Sequence, residues 1–87
     1  MRIAFLTASC MFKSSPDARK DHWEHDLEFD ALQPACANAG IQLEARIWDS
    51  PDFEPAVYDA IVVGTCWDYM EKPEAFGDCL TRCAEHS

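Results

Sequence analysis

Ile3-Ala4-Phe5-Leu6-Thr7 decides the fold. The run is apolar without interruption and of strand length. It lacks the alternation of a strand with one wet face, so it reads as a central strand of a parallel sheet, covered on both sides. The next strand-like stretch differs in kind. Ile41, Leu43, Ala45 and Ile47 alternate with Gln42, Glu44, Arg46 and Trp48, the period-two signature of a half-exposed edge strand. Ile61-Val62-Val63, with Ala60 before and Gly64 after, is again continuous, short and β-branched. It predicts a third strand, buried on both faces beside the first.

Helices fill the intervals. Asp30 with Gln33 makes a capping box, Leu32, Ala35, Cys36 and Ala39 fall on one helical stripe, and Gly40 stands where a helix takes a left-handed stop. Pro34 leaves two readings: a helix starting at Asp30 that loses one early hydrogen bond, or a longer one from about His22 that kinks. The shorter helix is the expectation. After the third strand, Pro73 suits a first helical position, and Phe76, Cys79, Leu80, Cys83 and Ala84 repeat at core-facing spacing. The stretch from Asp49 to Asp59 carries two prolines and four acids, which predicts an irregular crossover with at most one helical turn. Right-handed connections then give an α/β fold, a three-stranded parallel sheet of order 2-1-3, half of a Rossmann-like doubly wound fold. Residues 1–87 form one domain. The outer side of the third strand is an uncovered edge, so a fragment of a longer chain, or a domain that needs a partner surface, is expected.

Composition narrows the partners. Sixteen acids against seven bases give a formal charge of −9, which argues against nucleic acid or an anionic membrane surface. No apolar run approaches a membrane span and no cleavage pattern follows the first strand, so the expected location is the cytoplasm. Five cysteines without a CxxC pair fit neither a disulfide framework nor a zinc ribbon, and reduced thiols are the simpler reading. A chain of this length buries only about 60–65% of the surface it exposes when unfolded, which predicts marginal stability.

In open parallel sheets ligands bind outside the carboxyl ends of the strands. Here that rim is built from Ala8 to Glu28 and from Thr65 to Lys72. The first segment is polar enough for a lid or substrate loop, and equally for a disordered excursion; both readings stand. The turn Thr7-Ala8-Ser9-Cys10-Met11-Phe12 has no glycine, so a phosphate cradle, and ATP binding by this domain alone, is not expected. Trp67-Asp68-Tyr69 joins a large ring, a carboxylate and a phenol able to stack on and orient a polar small molecule. Packing of the two rings, with Asp68 capping a turn, is the plainer account of the same residues. His22 and His25 are three apart and could ligate a metal from a helix, but surface histidines among acids are commoner. The same holds for Asp49, Asp52 and Glu54 as a cation site. Cys10 and Cys66 lie near the rim, where inert buried thiols are the better expectation than reactive ones.

The pattern of Arg2 to Thr7, Asp30-x-Leu32-x-Pro34-Ala35 to Gly40, Trp48-Asp49-Ser50-Pro51, Tyr58 to Tyr69 and Pro73-Glu74-Ala75-Phe76 resembles the amino-terminal pre-ATP-grasp domain of bacterial ATP-grasp ligases. The ligases in question are similar to glutathione synthetase and to the ligase that closes the ring of D-cycloserine. The resemblance spans nearly the whole chain except residues 10 to 25. It implies a parent enzyme that activates a carboxylate as an acyl phosphate with ATP and magnesium before an amine or similar nucleophile attacks. The ATP clamp and metal carboxylates then lie in two later domains. This chain, not catalytic alone, forms the substrate side, and its partners are a small carboxylate or amine substrate, the ATP-grasp domains and a candidate homodimer mate. Thr65, Trp67, Asp68 and Tyr69 are carried over as substrate-binding residues. The resemblance further implies an arginine, in many members, at the position where this chain has Gly64, which would hold an anionic group. Two readings compete with the ligase domain: a free-standing flavodoxin-like binding or dimerisation module without enzymatic activity, and a metal or redox sensor using His22, His25 and the cysteines.

Overall fold

The computed structural model describes residues 1–85. Strand β1 (Arg2–Thr7) is followed by helix α1 (Trp23–Asn38), β2 (Gln42–Ile47), β3 (Ala60–Thr65) and helix α2 (Pro73–Glu85). All pairings are parallel and the order is β2-β1-β3, with the apolar β1 in the centre as its composition requires. Phe5 lies opposite Ala45 on one side and Val62 on the other. A bulge between Leu6 and Thr7 then sets Thr7 opposite Thr65 instead of Gly64.

The two faces of the sheet have separate cores. Ala4, Leu6 and Ala8 pack with Trp48, Phe53, Tyr58, Cys66, Cys79 and Cys83, so the β2–β3 crossover and α2 share one face. On the other, Phe5 meets His25 and Phe29 of α1, both at ring-centroid distances of 5.7 Å. The crossover is irregular apart from one 3-10 turn at Pro55–Val57, as its prolines and acids predict. Buried Trp48, Phe53 and Tyr58 pin it to the sheet.

Helix α1 is the longer of the two alternatives and contains Pro34, which corrects the expected start at Asp30. An interior proline costs about 3 kcal/mol in an isolated helix. Here the first two turns bring His25 and Phe29 onto Phe5, and Glu24 and Asp26 sit favourably in the first turn. The expected stripe shifts with the start. Leu32, Ala35 and Ala39 are exposed, and the sheet-facing line runs through His25, Phe29, Gln33 and Cys36. Gln33 forms no capping box; its Nε2 donates to the Leu43 carbonyl at 3.1 Å. The helix does stop at Gly40, with φ of 75°. The amides of Ile41 and Gly40 return to the carbonyls of Cys36 and Ala37, the Schellman pattern that a left-handed glycine permits.

Strand β3 lies beside β1 as expected but is not buried on both faces. Val62 is 40% and Val63 51% exposed. α1 packs over β1 and β2, which leaves Val62 uncovered, and no described element lies beyond β3. α2 begins at Pro73 and buries Cys79 and Cys83, whereas Leu80, expected in its core stripe, is exposed. Among the described residues no helix is long and apolar enough to cross a membrane.

Candidate functional site at the strand ends

The carboxyl ends of β1 and β3 bring two loops together. The first loop turns through a 3-10 segment at Ser9–Met11, buries Cys10 and Met11, and is tied back by the Arg19 amide donating to the Cys10 carbonyl at 2.8 Å. It is therefore a fastened loop of residues 8–22, because α1 takes up residues from Trp23 onward.

Thr65 closes β3 with its side chain fully buried. Its Oγ1 lies 2.6 Å from Thr7 Oγ1 and 3.0 Å from His25 Nδ1. The bulge produces this placement, since it turns Thr65 onto the α1 face beside Thr7. The hydroxyl expected at the rim thus faces the protein interior. His25 is 2% exposed among the rings of Phe5, Phe12 and Phe29. It is held there by Thr65, and among the described residues no group of three or more His, Cys, Asp or Glu could hold a metal ion.

Burial pushes the His25 imidazole below its ordinary value near 6.5, against the opposing pull of Asp26, Glu28 and Asp30. A depressed histidine favours the fold in its neutral form. Stability is therefore intact above pH 6.5 and declines as pH falls through the window between 6.5 and the lower folded value. The slope approaches ~1.4 kcal/mol per pH unit. Urea unfolding from about pH 7.5 to 5 checks this, and His25→Gln, which keeps a partner for Thr65 but does not titrate, is expected to flatten the profile.

The thiols at the rim are held protonated. Burial, reinforced by Cys79 and Asp68, pushes Cys66 up to about 12, and burial raises Cys10 as well. All five cysteines are free, in line with the reading of reduced thiols. With the thiolate disfavoured, Cys10 and Cys66 behave as small apolar groups rather than nucleophiles.

The residues after Cys66 form the exposed part of the rim. Trp67 is half-buried, with the Arg19 guanidinium 5.3 Å from its ring centre. Asp68 is only 6% exposed and does not cap the 3-10 turn Tyr69–Glu71 with its side chain. Its Oδ1 instead accepts from Trp48 Nε1 at 2.8 Å. Lys72 Nζ bridges the same region, donating to Asp49 Oδ2 at 2.7 Å and to Asp68 Oδ2 at 3.4 Å. The Asp49 hydrogen bond holds this ammonium protonated above its ordinary range. Phe76 of α2 packs edge-on to Trp48 at 5.1 Å and against Tyr69 at 5.3 Å. Tyr69 is 45% exposed.

Trp48-Asp49 and Trp67-Asp68-Tyr69, distant in sequence, are therefore one hydrogen-bonded unit. Lys72, hydrogen-bonded into this unit, and Arg19, over the Trp67 ring, are the participants that the sequence did not single out. Lys72 stands four residues after Asp68, the spacing of an ion pair on a helical turn, and that was the available signal. Asp52 and Glu54 stay exposed and outside the unit.

The β1 turn offers side chains at Ala8, Ser9 and Cys10 where a phosphate needs close backbone approach, and no described carboxylate cluster is suited to magnesium. No step through ATP is assigned to these residues.

No curated protein and no solved structure matches the chain. Residues 3–87 match the family described as the N-terminal domain of D-cycloserine synthetase DcsG, a span that takes in both tryptophan–aspartate segments and every strand of the sheet apart from Arg2. On that match over almost its whole length, the chain belongs to the family of D-cycloserine synthetase N-terminal domains.

Proposed function

We propose that residues 1–87 form the amino-terminal, substrate-side domain of a longer ligase of the ATP-grasp, glutathione synthetase-like kind, which joins a carboxylate to an amine and is not catalytic in this domain alone. The observation that carries the reading is the Trp48 Nε1 to Asp68 Oδ1 hydrogen bond. It fastens both tryptophan–aspartate segments at the strand ends, where open α/β sheets take their ligands. Trp67 and Tyr69 then supply an aromatic surface and a phenol toward a small polar substrate. Thr65 and Asp68 hold them from beneath through Thr7, His25 and Trp48. ATP and magnesium would bind in later domains and supply the activation of the carboxylate.

Titration of the isotope-labelled chain with D-cycloserine, followed by NMR, tests the reading. Saturable shifts are expected at the Trp67 indole and the Tyr69 ring, and Trp67→Ala should abolish those at Tyr69. Shifts confined to other parts of the chain, or none, would remove the substrate-side assignment.

A further inference from the structure

Helix α1 carries a second apolar stripe that the sheet does not use. His25, Phe29, Gln33 and Cys36 face the sheet, whereas Trp23, Leu27, Ala31 and Pro34, at i, i+4, i+8 and i+11, line the far side of the helix. All four are exposed, Trp23 at 54% and Leu27 at 64%. A surface helix ordinarily presents polar residues there, and a helix with apolar groups on two opposite sides is suited to being covered on both.

Charge frames the stripe. Asp26 and Asp30 run along one flank and Glu24 and Glu28 along the other, each an i, i+4 pair of like charges that disfavours an isolated helix. α1 contains no lysine or arginine, and among the described residues none of these four carboxylates has a cationic partner.

We infer that the outer face of α1 docks an amphipathic helix of a separate protein, one whose leucine- and alanine-rich stripe is flanked by lysine or arginine. The apolar stripe supplies the buried area, and the four carboxylates choose the partner, because they attract a basic flank and repel an acidic one. The same charges set other occupants aside. A second copy of this chain would bring four more acids and no base on the same helix, with a formal charge of −9 on each molecule. An anionic bilayer is repelled on the same ground. None of these residues belongs to the tryptophan–aspartate unit, so the inference stands whatever binds at the rim.

The test titrates the 87-residue chain with a synthetic helical peptide that has leucine and alanine at three-four spacing and lysine on both flanks, read by calorimetry and by NMR of the Trp23 indole. Saturable binding is expected. A scrambled peptide of the same composition, which keeps the charge and loses the stripe, should bind about tenfold more weakly. Leu27→Gln, at an exposed position, should leave the fold intact by circular dichroism and weaken binding of the helical peptide by about tenfold. Asp26→Asn combined with Glu28→Gln should weaken it by about threefold and flatten its salt dependence.

No binding, equal affinity for the scrambled peptide, or unchanged affinity of Leu27→Gln would overturn the inference. A dimer of the chain that Leu27→Gln dissociates would assign the stripe to a second copy. Binding by the 87-residue chain but not by a longer parent ligase would assign it to that enzyme's own domains, and either result overturns the separate partner.

Discussion

Asp68→Ala is expected to lower the unfolding free energy by about 2–4 kcal/mol, because it leaves the indole N–H of a buried tryptophan without an acceptor. Trp48 is 2% exposed, and its Nε1 bond to Asp68 Oδ1 is 2.8 Å long. The penalty is mainly desolvation of the orphaned donor, which water cannot reach at that depth. The same substitution removes the weaker of the two Lys72 contacts, at 3.4 Å, but leaves Lys72 on Asp49; that contact is partly solvated and adds little. Asp68→Asn keeps an oxygen for the indole and is expected to cost only about 1 kcal/mol. For a domain whose total stability is on the order of 5–10 kcal/mol, the difference separates a folded variant from one partly unfolded on warming. Urea unfolding of Asp68→Ala, Trp48→Phe and the double variant gives the coupling directly, and about 1–2 kcal/mol is expected. Additive losses would mean that the two motif segments are merely neighbours.

The bond between Trp48 and Asp68 marks what the sequence could and could not reveal. Each tryptophan–aspartate segment is visible as a local feature, but the two meet only because the crossover carries β3 to the far side of β1. Local signals suffice wherever a local cause decides the outcome. Gly40 ends α1 because its φ is positive, Pro73 opens α2, and the apolar run at Ile3 lies in the centre of the sheet. They misled where distant contacts decide. Pro34 reads as a boundary by propensity, yet Phe5 draws His25 and Phe29 into the helix that precedes it. Val62 and Val63 read as buried because composition records what a strand is suited to, not what covers it. Thr65 read as a rim hydroxyl because it ends a strand. A single bulge, for which Gly64 was the only hint, turns it inward to Thr7 and His25.

That glycine carries the second large effect. A Cβ at residue 64 would land within the van der Waals envelope of the Phe5 ring, nearest Cε1 and Cζ. A ring at the tip of a side chain can often swing away, but this one is held against His25 and Phe29 and is 3% exposed. Gly64→Ala is therefore expected to cost about 1–3 kcal/mol through overpacking. Pairing it with Phe5→Leu, which shortens the side chain where the new methyl arrives, should make the double variant more stable than Gly64→Ala alone, even though Phe5→Leu by itself destabilises. If the double variant is instead less stable than either single one, the Phe5 contact is not what requires glycine. The rescue also bears on substrate recognition. A longer side chain such as arginine at this position demands even more space than alanine, so in this chain Phe5 excludes it. Among the described residues, Arg19 over Trp67 and Lys72 beside Asp68 are the cations placed against the tryptophan–aspartate segments. Each already has a carboxylate partner, Asp21 for Arg19 and Asp49 for Lys72, so any anionic group that docks against them has to compete for its cation.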